Sequence, residues 1–355
     1  IGATDGITAS SVQLATTNAA ADLVLGADVT TSGAQTYTSA RNITVDAVDL
    51  LVTGKATLGM TAAAQITVLG GTLENAYTGD ADSFDAVVLA ANDDATPFSS
   101  AGSNAAITLE DGARITTASG GGGAIRMTGK AGTGLSDAIG IRIADSTVES
   151  PGAGTIAIAG TGGAGATGGG KSGVVIGGTT GSRIESSLGD ITITGIAGAA
   201  TSGLANIGVD VAENSTVVST GSGPDAAGII VSGTGGGSGG STLNHGVRLA
   251  GALALSSDAG AITVTAAGGS PVSGNDNDGL VLSGTSAVIQ SISGEIVVDA
   301  AAGTGGKHLD NLAGSGAVAS AGRWIIYLPD PADTVFGDLA SGSLPIWGQT
   351  GGTLP

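Results

Sequence analysis

The sequence predicts an all-β fold, a right-handed parallel β-helix with three short strands per coil and an aromatic- and proline-rich carboxyl-terminal cap. Three observations predict it: a repeating pair of apolar triplets, a connection of constant length, and a composition rich in small and β-branched residues. Each repeat opens on Gly plus an apolar tripeptide: Gly140-Ile141-Arg142-Ile143, Gly173-Val174-Val175-Ile176, Gly208-Val209-Asp210-Val211, Gly246-Val247-Arg248-Leu249 and Gly279-Leu280-Val281-Leu282. Each closes on a second triplet: Ile156-Ala157-Ile158, Ile191-Thr192-Ile193, Ile229-Ile230-Val231, Ile262-Thr263-Val264 and Ile296-Val297-Val298. From closing triplet to the next opening one the count is 18 four times over (174−156, 209−191, 247−229, 280−262). A wandering loop would not keep its length, so this glycine-rich connection is expected to be ordered and stacked in register. Successive repeats begin 33, 35, 38 and 33 residues apart, a solenoid period.

Composition supports the same reading. Of 355 residues 66 are Gly, eight are aromatic and none is Cys. So much Gly disfavours helices by about 1 kcal/mol per interior position, whereas Val, Ile and Thr suit short packed strands. Charged residues make up only 12% and the triplets recur on schedule, which argues against a disordered chain. Thirty acidic residues against 11 Lys and Arg give a net charge of −19, so no nucleic acid and no anionic membrane is an expected partner. No apolar run reaches the roughly 20 residues of a membrane span, so no membrane insertion is expected. Ile1 follows neither a start Met nor a basic signal region, and the chain reads as a mature or excised segment.

Within a repeat the outer residues of each triplet are Ile, Val or Leu while the central one varies among Arg, Val, Asp, Thr and Ala, so outer positions point inward and the centre points out. A middle strand reads Thr147-Val148-Glu149-Ser150, Arg183-Ile184-Glu185-Ser186, Thr216-Val217-Val218-Ser219 or Val288-Ile289-Gln290-Ser291. Strands this short cannot form a sheet alone, but each can pair in parallel with its counterpart about 4.8 Å away in the next repeat. Gly and Ser fill corners that need positive φ or close backbone approach.

Three divisions are expected. Residues 1–106 form irregular amino-terminal coils, with triplets such as Ile43-Thr44-Val45, Leu50-Leu51-Val52 and Ile66-Thr67-Val68, and a lateral excursion at about 75–106 marked by Tyr77, Phe84, Pro97, Phe98 and several Asp. Residues 107–322 form the regular coils, and 323–355 a cap or connector. Three residues before the opening triplets stand Lys171, Asn206, Asn244 and Asn277, so the three Asn are expected to stack as a hydrogen-bonded ladder. Trp324, Tyr327, Phe336 and Trp347 are expected to plug the open end of the apolar column.

No catalytic residue and no cofactor is expected. Asp93 and Asp94 are adjacent, which on a strand would send them to opposite faces, and a solvated turn before Pro97 accounts for them. His245 and His308 lie in connections without metal-like or triad spacing, and the glycine runs lack the Lys-Ser/Thr of a phosphate loop. Calcium is the ligand the acidic loops come nearest to, through Asp80, Asp82 and Asp85 or through Asn275-Asp276-Asn277-Asp278, although no EF-hand loop or calcium-binding nonapeptide is present.

The phrase Asn244-His245-Gly246-Val247-Arg248-Leu249, then Gly260-Ala261-Ile262-Thr263-Val264, with Gly-Thr-Gly-Gly at 160–163 and 233–236, resembles the repeats of large secreted bacterial adhesins, the filamentous-haemagglutinin-like surface proteins. The ending Gly322-Arg323-Trp324-Ile325-Ile326-Tyr327-Leu328-Pro329-Asp330-Pro331, with Pro345-Ile346-Trp347-Gly348 beyond it, resembles the segment that closes the helix in that family. The resemblance covers roughly residues 107–355. It implies secretion to the bacterial cell surface and a structural or adhesive role without chemistry. The partners implied are a host, neighbouring-cell or matrix surface, or other copies of the chain. A self-assembling extracellular filament or sheath is the alternative, and a polysaccharide lyase or hydrolase a more distant one.

Overall fold

The computed structural model describes residues 6–18, 21–79, 83–92, 105–133, 136–284 and 288–339. Among them every regular element is a strand, and the strands join into three long parallel sheets of 11, 11 and 10 strands. Sequence-consecutive strands fall in different sheets, and each pairs with the strand three places on, or four where the small strands Gly165–Thr167 and Ala200–Ser202 intervene. The fold is a right-handed parallel β-helix of eleven coils.

The triplets land where their patterning requires. The middle strands build the first sheet, the closing triplets the second and the opening triplets the third. Registers such as Ile156↔Ile191↔Ile229↔Ile262↔Ile296 and Ile141↔Val174↔Val209↔Val247↔Leu280 stack like on like. These residues are fully buried. Each contributes on the order of 1.5–3 kcal/mol of apolar burial, which offsets the ordering of so glycine-rich a backbone.

Coil length divides the column. In the first sheet the amino-terminal partners Ile7↔Val29, Val29↔Leu50 and Leu50↔Leu73 lie 22, 21 and 23 residues apart. Further on, Val148↔Ile184, Ile184↔Val217, Val217↔Leu255 and Leu255↔Ile289 lie 36, 33, 38 and 34 apart. The added length sits between the second and third sheets. That step is 8 residues in the short coils (Gln35 to Ile43, Leu58 to Ile66) and 18 in the long ones.

The excursion expected over 75–106 is corrected in its middle. Residues Phe84–Asn92 form a strand of the second sheet, paired to Leu58–Ala62 on one side and Gly123–Lys130 on the other. Val87, Leu89 and Ala91 are fully buried in the column, so alternation at positions 87–91 outweighs the acidic flanks. Tyr77 packs edge-on against Phe84 at 5.9 Å, with Lys55 Nζ 5.9 Å from the Phe84 ring centre. Pro97 and Phe98 lie outside the described residues.

At the carboxyl end Trp324–Tyr327 is the last strand of the second sheet. Trp324, Phe336 and Leu339 pack against the core, and Leu328 is 4% exposed. Residues 333–336 then run along the last strand of the third sheet: His308 N–H donates to Asp333 O, Asn311 N–H to Val335 O and Val335 N–H to Leu309 O. That edge is closed. Tyr327 departs from the expected plug, because alternation from Trp324 puts it on the outer face beside Asp299. Trp347 lies outside the described residues.

Candidate functional site: a stacked fin and an exposed sheet face

The 18-residue step of the long coils folds out of the column as a narrow fin. At its neck two glycines meet, Gly160 with Gly173, Gly195 with Gly208 and Gly233 with Gly246, so closely that a Cβ on the first would strike the carbonyl oxygen of the second. A Cβ on the opening Gly would in turn strike the next coil, as at Gly173 against Ile196 N and Gly208 O or at Gly208 against Thr234 N and Gly246 O, which explains the Gly that opens each repeat. Each fin also rests on the one before it. A Cβ at Gly198, Gly236, Gly269 or Gly303 would run into the carbonyl oxygen of Gly163, Gly198, Gly236 or Gly269. Hydrogen bonds run along the stack, for example Gly162 N–H to Ile196 O at 2.8 Å and Gly268 N–H to Ala301 O at 2.8 Å. A small two-stranded ladder, Gly165–Thr167 against Ala200–Ser202, adds to it.

The three predicted ladder residues meet inside the fin base. Asn206 Nδ2 donates to Asn244 Oδ1 at 2.7 Å, Asn244 Nδ2 to Asn277 Oδ1 at 2.7 Å, and Asn277 Nδ2 to Thr304 O at 2.5 Å. All three are fully buried. Their carbonyls accept from Gly236, Gly269 and Gly303 N–H at 2.7–2.9 Å, joining ladder to fin. Lys171 starts the column, and its backbone N–H donates to Asn206 Oδ1 at 3.1 Å. Burial pulls its ammonium below the usual lysine range, against the opposing charge of Asp137. Each ladder position follows a residue with positive φ, namely Gly170 (71°), Ala205 (61°), Leu243 (59°) and Asp276 (54°). That left-handed step turns the next side chain inward.

Beside the Asn ladder runs a second column that sequence reasoning missed, Ser172, Ile207, His245, Asp278 and Lys307. His245 is 6% and Asp278 2% exposed, so His245, placed by the sequence simply in a connection, is a buried member of a stacked column. His245 Nδ1 lies 3.2 Å from Asp278 Oδ2 and 3.3 Å from the Asp278 N–H, while Asp278 Oδ1 accepts from Lys307 N–H at 2.6 Å. Burial alone would raise the Asp278 carboxyl. The interaction with His245, the Lys307 N–H and the nearby Lys307 charge outweigh it and hold the carboxyl below its usual range. His308 Nδ1 accepts from Ala302 N–H at 2.8 Å. A third column, Ser150, Ser186, Ser219, Ser257, Ser291 and Ser320, stacks at the end of the first sheet. The Ser closing each middle tetrapeptide was its signal.

Among the described residues no group of three His, Cys, Asp or Glu is placed to hold a metal ion. Asp85 pairs with Arg126, Asn277 belongs to the ladder, and Asp278 faces His245 and Lys307. Asp80, Asp82, Asp93 and Asp94 lie outside the described residues. No helix among the described residues is long and apolar enough to cross a membrane.

The outer faces differ in chemistry. The first sheet carries Arg114 with Glu149 and Arg183 with Glu185, and the third carries Arg248 bidentate on Asp210 at 2.8 and 2.6 Å. The second sheet has the longest strands and, between Ala157 and Ala267, an outward face without charge. Its three ranks are Ala157, Thr192, Ile230, Thr263, then Ala159, Thr194, Ser232, Thr265, then Thr161, Ile196, Thr234, Ala267. Ile196 is 48% and Ile230 41% exposed. Fold and surfaces together define a β-solenoid rod whose buried Asn ladder and His245–Asp278 pair bond coil to coil, while Ser219 Oγ, Ser257 Oγ and Asp310 Oδ1 have no hydrogen-bond partner among the described residues. No family model, curated protein or solved structure matches the chain.

Proposed function

We propose that the chain is a non-catalytic structural or adhesive β-helical rod of the bacterial cell surface, acting outside the cell as the filamentous-haemagglutinin-like adhesins do. One observation carries the reading. Eleven coils share an unbroken core, and ten steps of about 4.8 Å make a column roughly 50 Å long that projects surface groups at fixed spacing. The conspicuous polar side chains, Asn206, Asn244, Asn277, His245 and Asp278, are buried and engaged in holding coils together, which supports a mechanical role. The partner in this reading is a host, neighbouring-cell or matrix surface.

The filament alternative, coils stacking head to tail between chains, is opposed at the carboxyl end, where residues 333–336 close the last edge of the third sheet. The test is binding of purified protein to cultured cells and immobilised matrix, run beside an assay for released reducing or unsaturated sugar ends. Saturable binding without sugar release supports the reading. Turnover of a polysaccharide, or no binding to any surface, overturns it.

A further inference from the structure

The uncharged outer face of the second sheet is out of character in a chain of net charge −19, and the order of its residues is self-complementary. Four uncharged coils lie at its centre, and with two more on each side the face spans eight coils, from Phe84–Asn92 to Trp324–Tyr327, with Arg126, Lys130 and Asp299 on the flanking ones. We infer that two copies pair through it, face to face and with their long axes antiparallel, about a two-fold axis lying between the strands Ile191–Ile196 and Ile229–Thr234. This inference stands apart from the adhesive reading and does not rest on it.

The argument comes from what each orientation would set opposite what. With the axis along the strands, position along the strand is kept and coil order is reversed. Ala157 then meets the partner's Thr263, Ala159 the partner's Thr265, and Thr161 the partner's Ala267. At the centre Thr192 meets the partner's Ile230, Thr194 the partner's Ser232, and Ile196 the partner's Thr234. Toward the end, Ala90 meets the partner's Tyr327. In the outer two of the central four coils, and again at Ala90, a small side chain faces a larger one, as interdigitation about 10 Å between sheets requires.

Charges follow the same symmetry. Arg126 and Lys130 stand on the fifth coil and Asp299 on the tenth, in the rank between them. Antiparallel pairing sets Asp299 over the partner's Thr128, flanked by the partner's Arg126 and Lys130, and does so twice. The Arg126 side chain is 53% exposed even while paired with Asp85, so it keeps room for a second carboxylate. The parallel alternative would set Asp299 over the partner's Asp299 and Arg126 over the partner's Lys130, which is repulsive throughout. Eight strands at about 4.8 Å spacing and six residues at about 3.3 Å give roughly 750 Å² per copy, near the size of a stable interface. An isologous pairing of this kind closes on itself and gives a dimer.

The test is sedimentation analysis of the chain at about 10 μM and tenfold dilutions from it, with Ser232→Glu at the centre of the face and Ser256→Glu on the first sheet. The expected result is a dimer for the parent chain and Ser256→Glu, and a monomer for Ser232→Glu with unchanged circular dichroism. Asp299→Lys should weaken association by about tenfold, and Asp299→Lys with Lys130→Asp should recover it. Because the chain has no Cys, mixing Thr194→Cys with Ser232→Cys protein and adding a short bis-maleimide, whose span suits sheets about 10 Å apart, reads the register directly, and a cross-linked heterodimer is expected. A monomer at every concentration, or a dimer that Ser232→Glu leaves intact, overturns the inference.

Discussion

The short amino-terminal coils and the long central ones solve the same stacking problem with different materials. In the short coils 8 residues carry the chain from the second sheet to the third, and stability rests on bulky groups inside the column. Tyr37 is fully buried, its hydroxyl donates to Gln35 Oε1 at 2.9 Å, and Gln35 Nε2 donates to Val29 O and Leu51 O at 3.1 and 2.8 Å. In the long coils ten more residues leave the column at each turn. They are buried by few apolar side chains, Ile207, Ala131 and Ala138 among these. They are ordered by backbone hydrogen bonds to the next coil and by the Asn ladder. A β-helix can thus lengthen its coils at low cost in core volume, provided glycine allows the added chain to lie backbone on backbone.

The largest effect is expected from a methyl group placed where the fin has room for none. Gly236→Ala sets a Cβ against the carbonyl oxygen of Gly198, which is main chain and cannot swing aside. A loss of about 3 kcal/mol or more is expected. Because each coil touches only its neighbours, the loss should be regional: amide exchange should rise over residues 160–280 and stay unchanged over 29–75. Gly316→Ala, where nothing lies within 4 Å and φ is not positive, should change stability by less than about 0.5 kcal/mol.

Asn244→Leu comes next. It removes the acceptor for Asn206 Nδ2 and the donor to Asn277 Oδ1, leaving buried amide groups unpaired on both sides. Roughly 2–4 kcal/mol should be lost in urea unfolding, more than for a typical single hydrogen bond, because orphaned polar groups keep their full desolvation cost. Equal stability of Asn244→Leu and the parent would show that the fin stacks without its ladder.

The two regions should also fail at opposite ends of the pH scale. Burial pushes the Tyr37 hydroxyl up to about 12 from an ordinary value of 10.0. Its folded value is raised, so its stabilisation is complete below about pH 10 and is lost as pH rises through about 12, up to about 3 kcal/mol. Asp278 is shifted the other way. Its stabilisation is present above the ordinary carboxylate value near 4 and is lost as pH falls through the lower folded value. Exchange measured against pH should show amino-terminal coils opening first in alkali and the fin base first in acid. Tyr37→Phe should blunt the alkaline limb, and Asp278→Asn the acid one while lowering stability at pH 7.

Much of this was legible in the sequence because stacking is repetition. The constant 18-residue step and the aligned Asn206, Asn244 and Asn277 gave the ordered connection and the ladder. What stayed hidden does not repeat as one residue type. His245 and Asp278 share a column with Ser172 and Ile207, so no letter recurs to reveal it, and their burial comes from the fin folding over them. The acidic flanks of Phe84–Asn92 point to an excursion, although Val87, Leu89 and Ala91 alternate as a buried strand does. The aromaticity of Tyr327 suggests a plug, although two-residue alternation from Trp324 already sends it outward.

The smallest expected effect tests why the fin tolerates any strain. Leu243 adopts φ 59° one residue before Asn244, where its counterparts include Gly170 and Gly305. A left-handed Leu costs on the order of 1–2 kcal/mol, since its Cβ crowds the following carbonyl. It persists because Asn244 must point inward. Leu243→Gly should relieve that strain, partly offset by the entropy glycine adds to the unfolded chain, for a net gain of about 0.5–1 kcal/mol in urea unfolding. At Leu25, in the short coils and without positive φ, the same change would instead remove a buried core side chain and cost at least about 2 kcal/mol. Opposite signs at the two leucines are what separates a coil held by backbone contact from one held by its core.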